Sequence, residues 1–333
     1  MGAVRAAVFA ARESLAPDEW IERHWKVQTG ERKGSLMDLS LTPDLRKPAQ
    51  AFAEPGVTDI VFMGPAQCGK TEVFFGVIAW SLDQNRGSWM NMLSVASKAE
   101  DYNILRFLPA MQANERTAAL LVGEQKRALN TFKSGEVHWI GSESPGKAEG
   151  TPLPHTWTDE FDRCDELGRR KIEERNKTFS RRKRLKSGTP GLAGEGIDAE
   201  YQACDARFAW FVPCPLCLHY YTRHWYKTTV VWEGGNDAPP EDVRRNAWYE
   251  CPHCKGKNYA KDRPWQASLG EWVAHTQSIG PVIREEGKPD AKGIVSGKIP
   301  PGQRWGFALS GLDNELVVNP VGEIAAAFVR EIK

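Results

Sequence analysis

Between Thr58 and Leu82 the chain reads TDIVFMGPAQCGKTEVFFGVIAWSL. Gly64 is followed by Pro65, Ala66, Gln67 and Cys68, and then by Gly69, Lys70 and Thr71. A short apolar run, Ile60 to Met63, leads into the first glycine, and Glu72 to Leu82 continues as an apolar helix. Strand, glycine turn and helix in that order constrain the fold more than any other part of the chain. The two glycines let the backbone curl so that successive N–H groups face inward, an anion nest at the positive end of the following helix. Lys70 then brings a point charge to the β and γ phosphates, and the Thr71 hydroxyl ligates Mg²⁺. A chance glycine turn would need neither the strand before it nor the helix behind it. Gly64 to Glu72 therefore read as the cradle of a nucleoside triphosphate.

With 333 residues, 41% of them hydrophobic, there is room for one large domain and a small one. Lys and Arg (44) nearly cancel Asp and Glu (43), so net charge selects no partner. No apolar run approaches the roughly eighteen residues of a membrane span. The opening MGAVRAAVFAARESLAPDEW is broken by Arg5 and Arg12, which suits an amphipathic helix over Ala3 to Arg12 better than a signal peptide. A second helix is expected over Glu19 to Trp25. The seven cysteines are not spaced as a secreted disulfide framework and point to a reducing compartment.

Downstream of the glycine turn, strands are expected at Met90 to Ala96 and Glu136 to Ile140, with a helix over Ala99 to Met111 between them. This alternation predicts an α/β fold with a mostly parallel sheet. Leu153 to Asp162 (LPHTWTDEFD) is a short strand ending in Asp159 and Glu160. Those acids supply the second half of the site: Asp159 to hold Mg²⁺ through water, Glu160 to orient and deprotonate the attacking water. Asp162 competes for either role. Upstream, Ser40 to Gln50 lies where a segment can pack beside the base; Gln50 is read either as a base-edge contact or as part of a plain surface loop.

From Arg163 to Lys186 there are eleven basic residues, with acids interleaved only in the first half. The first half suits a helix with i,i+4 pairs; the cluster RRKRLK suits phosphate-backbone contact. It runs into Ser187-Gly188-Thr189-Pro190, placed to sense the γ-phosphate. Farther on, Cys214-Pro-Leu-Cys217 and Cys251-Pro-His-Cys254 present four thiolates, the ligand set of a closed structural zinc site. His219 and His253 are reserve ligands. The aromatic stretch Arg223 to Lys227 reads as the core of a small zinc domain, with base stacking as the alternative. Cys68, Cys164 and Cys204 read as structural, although Cys68 in the glycine turn is a candidate for oxidation. Lys261 to Gly302 has loop composition; Trp305 to Leu312 reads as a strand and Pro320 to Ile332 as a helix, both able to close the sheet.

These pieces, in order, resemble the large terminase subunit of tailed bacteriophages, in the branch typified by the lambda packaging motor. The resemblance rests on PDEWIERHW, TPDLRKPAQAF, the glycine turn followed by Thr71-Glu72, GSESPGKAEG, TWTDEFDR, RNKTF, SGTP, the paired C-P-x-C knuckles and the closing GFALSGL…EIAAAFV. It implies a P-loop NTPase of the ASCE/RecA-like kind: an N-terminal adenine-side segment (1–57), an ATPase core (58–205), a zinc-ribbon-like insertion (206–262) and a closing strand and helix (263–333). It implies ATP, Mg²⁺ and structural Zn²⁺ as cofactors, with Lys70 and Thr71 as the Walker A pair and Asp159 and Glu160 as metal and catalytic acids. Ser187, Gly188 and Thr189 fall in the coupling motif. The implied setting is the host cytoplasm and, transiently, the portal vertex of a procapsid. There a homo-oligomeric ring drives double-stranded DNA inward with a small terminase subunit as partner and no membrane. Two departures stand out. Asp44 replaces the aromatic that often follows the proline in the adenine-side segment. Lys147 stands nearest to where an arginine finger for a neighbouring subunit is common, with Arg163 a second candidate. The family's nuclease domain is expected to be missing from these 333 residues. The alternatives are a helicase-type translocase, or a non-catalytic zinc-ribbon adaptor whose nucleotide site only switches conformation.

Overall fold

The computed structural model describes residues 14–84, 86–223, 229–275, 299 and 301–332. The helix expected over Ala3 to Arg12 lies outside them, as do residues 224–228 of the aromatic stretch and most of the loop-like region before Gly302.

The glycine turn lies between β1 (Asp59–Met63) and a helix over Lys70–Asp83. Every residue of that helix except Thr71 is buried, which is what an all-round apolar helix demands. β2 (Trp89–Leu93) leads into a helix from Ala96 to Tyr102, then a single π-helical turn over Asn103–Phe107 and a last helical turn to Gln112. The single helix expected over Ala99 to Met111 is thus a composite. β3 (Leu129–Phe132) and β4 (Gly135–Gly141) form a hairpin, of which only the second strand was expected. β5 (His155–Thr158) runs up to Asp159, a helix covers Glu166–Glu174, and β6 (Lys183–Gly188) ends at the Ser-Gly-Thr-Pro turn. After a helix at Gly196–Gln202 come β7 (Ala206–Pro213) and the short β8 (Tyr220–Tyr221). β9 (Val230–Val231), β10 (Trp248–Glu250) and β11 (Lys257–Asn258) follow, and β12 (Glu271–His275) and β13 (Arg304–Ala308) complete the strands.

The main sheet runs β12-β7-β13-β1-β6-β5-β2-β4-β3, with β8 attached to β7. From β7 to β4 all neighbours are parallel. The two flanking pairs, β12 with β7 and β3 with β4, are antiparallel. Both faces of the parallel part are covered, so β1 from Ile60 to Met63 is a continuous apolar run and β2 is apolar but for the buried Asn91. One strand, β6, separates the glycine-turn strand β1 from the acid strand β5.

Three expectations change. The basic cluster is not one exposed face, because from Lys183 onward it is β6 itself, with Arg181 and Arg182 in the turn before it. Lys183 points its ammonium at the carbonyls of Glu54 and Val57, at 2.9 and 2.6 Å, and burial lowers its pKa to about 8. Arg184 pairs with Asp59 and the buried Lys186 lies between Glu173 and Glu200. Next, β7 belongs to the main sheet, and the loop-like stretch after Lys261 contains a helix (Arg263–Ser268) and β12. Finally, β13 does join the sheet beside β1, but the helix at Pro320–Glu331 packs elsewhere. Its Val321, Ala325 and Val329 meet Val230, Val243 and Tyr249 of the small β11-β10-β9 sheet and the neighbouring helix Pro240–Asn246. Among the described residues no helix is long and apolar enough to cross a membrane.

Candidate functional site: a phosphate cradle facing two acids

The glycine turn closes through left-handed residues, Gln67 at φ 58° and Gly69 at φ 87°, the second capping the Lys70–Asp83 helix. Only glycine takes such a φ without strain, which is why Gly69 stands where the N–H groups must converge. Lys70 curls over the turn, its Nζ donating to the Pro65 carbonyl at 3.0 Å. Thr71 Oγ1 lies 3.4 Å from Asp159 Oδ2. Eighty-eight residues apart in sequence, the two meet because β1 and β5 end at the same edge of the sheet. The strand between them contributes as well. Ser187 Oγ donates to Asp159 Oδ1 at 2.6 Å and accepts from Trp157 Nε1 at 2.8 Å. Burial raises the Asp159 pKa, while the Ser187 hydrogen bond and the charge of Lys70 oppose the rise.

Glu160 follows in a left-handed conformation (φ 50°), an outlier for a non-glycine residue. Its carboxylate is paired with Lys98 and lies 3.7 Å from Arg163. Around these groups opens a cleft of about 1160 Å³. Its walls come from Thr29–Arg32, Met37–Thr42, the glycine turn, Tyr102 and Arg106, the turn after β6, and Leu316–Val317. A triphosphate seated on the turn would meet Lys70 at its far end and both acids across the gap.

A second constellation lies beyond β7. Cys214 Sγ is 3.8 Å from Cys254 Sγ and Cys217 Sγ is 3.7 Å from Cys251 Sγ, and all four sulfurs fall within 4.8 Å of one another. Tetrahedral Zn–S bonds of about 2.3 Å place sulfurs about 3.8 Å apart, so this donor set fits such an ion. His219 and His253 stack ring on ring at 3.5 Å and form a separate grouping with Cys217.

Residues 31–272 match the family described as phage terminase large subunit gpA, ATPase domain. The chain belongs to that family. Among solved structures it is similar to the HK97 bacteriophage large terminase (15% identity, 56% of this chain and 40% of that one, TM-score 0.48). It is also similar to the large terminase of a thermophilic bacteriophage in complex with ATP-gamma-S (19%, 49% and 39%, TM-score 0.36). A third is the ATPase domain of the Thermus phage P74-26 large terminase (13%, 46% and 67%, TM-score 0.36). The terminase domain thus spans about two fifths of the first two of these proteins. No curated protein matches it.

Most residues singled out from sequence meet at the cleft of this terminase ATPase domain. Ala66 to Glu72, Asp159, Glu160, Gly188 and Thr189 line it, while Gly64, Pro65 and Ser187 stand just behind. Two do not reach it. Gln50 ends a short helix, donates its amide N–H to Asp18 at 2.9 Å and is not part of the cleft wall. Lys147, a candidate finger toward a neighbouring subunit, is exposed on the 3-10 turn Pro145–Ala148 and off its own cleft wall; Arg163, the second candidate, lies on the cleft rim. Asp162 commits its oxygens to the N–H groups of Gly191 and Ile197, at 2.9 and 2.6 Å, a brace for the turn after β6. Burial pushes the Cys68 thiol up to about 11, which makes it a poor target for oxidation. Arg223 is buried and paired, not free to stack on bases.

Lys98, Tyr102 and Arg106 escaped the sequence reading. Arg106 lies 3.0 Å from Glu72 and over the rings of Phe75 and Tyr102. Tyr102 lines the cleft together with Thr71. The π-helical turn aims Arg106 at the cleft, a register no local pattern announces.

Proposed function

We propose that this terminase domain binds ATP with Mg²⁺ in the cleft, hydrolyses it, and couples the loss of the γ-phosphate to movement of double-stranded DNA into a procapsid. The observation that carries the proposal is the 3.4 Å approach of Thr71 Oγ1 to Asp159 Oδ2, with Ser187 on the second carboxylate oxygen. The turn's N–H groups and Lys70 hold the phosphates. Thr71 and Asp159 would hold Mg²⁺, which when bound neutralises charge on the β and γ oxygens. Glu160 accepts the proton of the attacking water once Lys98 releases it. Ser187 joins the acid to the Gly188–Pro190 turn, so movement at the phosphate reaches the loops at that edge of the sheet. Cys214, Cys217, Cys251 and Cys254 would hold a structural Zn²⁺ that braces the small module.

Portal docking, a small-subunit partner, ring assembly and work in the host cytoplasm complete the proposal. They draw on the family alone. The test is ATPase turnover with and without duplex DNA and procapsids. Wild-type protein should hydrolyse ATP and respond to duplex. Glu160→Gln should retain ATP binding while turnover drops by about 10²-fold or more. Stimulation by single strands only would favour a helicase-type translocase, and unaltered turnover in Glu160→Gln would remove Glu160 as the base.

A further inference from the structure

Leu316 and Val317 line the nucleotide cleft, and the segment 312–317 that carries them is held by side chains from the cysteine-bearing module and from the helix that follows it. Arg223, fully buried two residues beyond β8, donates from Nη1 to Asp313 Oδ1 at 3.0 Å. Its Nη2 donates to Gln266 Oε1 at 2.6 Å, and its guanidinium lies 4.8 Å over the Tyr249 ring. Arg263 donates to the carbonyls of Asn314 and Val317, at 2.6 and 2.8 Å, and pairs with Glu315 at 3.2 Å. Tyr249, two residues before Cys251, donates its hydroxyl to the Leu312 carbonyl at 2.8 Å.

The supports lead back to the sulfurs. Asn258 lies 3.5 Å from Cys214 Sγ through Oδ1 and donates to the Tyr221 hydroxyl at 3.2 Å; Gln266 donates to that hydroxyl at 3.4 Å and to the Pro213 carbonyl at 2.8 Å. The supported segment reaches the phosphate cradle. Asn314 Nδ2 donates to the Ala66 carbonyl at 3.1 Å, and Leu316 covers Gly69, where an added Cβ would lie 3.6 Å from its methyl.

We propose that the four-cysteine module is a positioning device for the nucleotide: through Arg223 and Tyr249, together with Arg263 of the following helix, it fixes residues 312–317 against the P-loop, so that Leu316 and Val317 take the base and sugar. This rests on the nucleotide reading above. The wall is apolar and carries no charge facing the cleft, which suits the nucleoside end and not the phosphates. Leu316 is 52% exposed, a large apolar side chain left for a ligand to cover. Two arginines buried among acids would be costly ornaments on a module that only folded by itself; joined to the segment, they fix one arrangement of it.

The test titrates the 333-residue protein with a fluorescent ATP analogue and Mg²⁺, and with inorganic tripolyphosphate as a base-free competitor. Leu316→Ala should weaken the ATP analogue about ten-fold and tripolyphosphate by less than about two-fold. The loss should appear in KM more than in kcat. Arg223→Met paired with Asp313→Leu, which avoids leaving a buried charge, should do the same. Stripping the metal with a chelator, its release followed by an indicator dye, should weaken the analogue in wild type but add little to Leu316→Ala. Metal release without change in nucleotide affinity would overturn the proposal, as would equal loss of ATP and tripolyphosphate in Leu316→Ala. Wild type that binds ATP no better than Lys70→Ala would instead sink the nucleotide reading itself.

Discussion

His155, at the start of β5, is buried with one ring nitrogen 2.8 Å from the Arg86 carbonyl, and burial lowers its pKa to about 4. The unfolded chain takes up this proton near pH 6.5 and the folded one does not, so acid favours unfolding. Stability present above about pH 6.5 should fall by about 2 kcal/mol by roughly pH 5, before most carboxylates titrate. Urea melts across that range should show the loss, and His155→Gln should flatten it. Lys98 offers a second residue-scale outcome. It holds Glu160 in a paired, left-handed state, and replacing it with Met should raise DNA-independent ATP turnover by about two- to five-fold, since such partly exposed pairs are worth little. A rate that falls would mean Lys98 serves hydrolysis instead of restraining it. The contrast between these residues and the cradle marks what a sequence can carry. Gly64 to Gly69 act through their own backbone, with Lys70 and Thr71 next in the chain, so spacing alone revealed them. Lys98, after β2, meets Glu160 after β5, and Arg106 meets Glu72 on the P-loop helix, adjacencies that no local pattern states. Gln50 carried the right chemistry in a place the fold did not bring to the cleft.

At the scale of elements, strand and helix types were legible wherever burial made the pattern emphatic. The P-loop helix, β1 and β5 are examples. What misled was charge: a strand whose outer residues are Lys183, Arg184 and Lys186 looks like a nucleic-acid face until Asp59, Glu173 and Glu200 arrive from elsewhere to pair it. Packing between helices was likewise invisible. The helix at Pro17–His24 lies on the P-loop helix, and a Cβ on Gly76 would sit 2.7 Å from Ile21 Cγ1. Gly76→Ala gains helix propensity of about 1 kcal/mol but forces an overpacked contact costing about 1–3 kcal/mol, so a net loss is expected. The double variant with Ile21→Ala should be more stable than the two single effects summed, because the new methyl fills space the isoleucine vacates. Additive effects in thermal melts would mean the helices separate freely.

Over the whole molecule, the cleft gathers residues from Val27 to Val317, so nearly the full length of the chain supplies its walls. The first of these is pinned to the P-loop helix: Trp25 and Thr29 both donate to the Glu72 carboxylate, at 3.3 and 3.2 Å. The last is held by Arg263 of the helix that follows the cysteine module, and its segment touches the P-loop through Asn314. A ligand in the cleft therefore touches the N-terminal segment, the loops of the sheet and the segment that the module supports, and should stabilise them as one unit. At about 100 times its Kd, a non-hydrolysable ATP analogue with Mg²⁺ adds about 2.7 kcal/mol by mass action. For a chain of this size that corresponds to a Tm increase on the order of 5 °C. The rise should be equal by far-UV circular dichroism, which follows the backbone, and by tryptophan fluorescence. Tryptophans stand in the N-terminal helix (Trp20), the sheet (Trp157) and the small module (Trp248), so the second signal samples all three parts. Lys70→Ala should abolish the shift. If the module melts apart from the sheet, the two signals will separate, and only the part that grips the nucleotide will move with it.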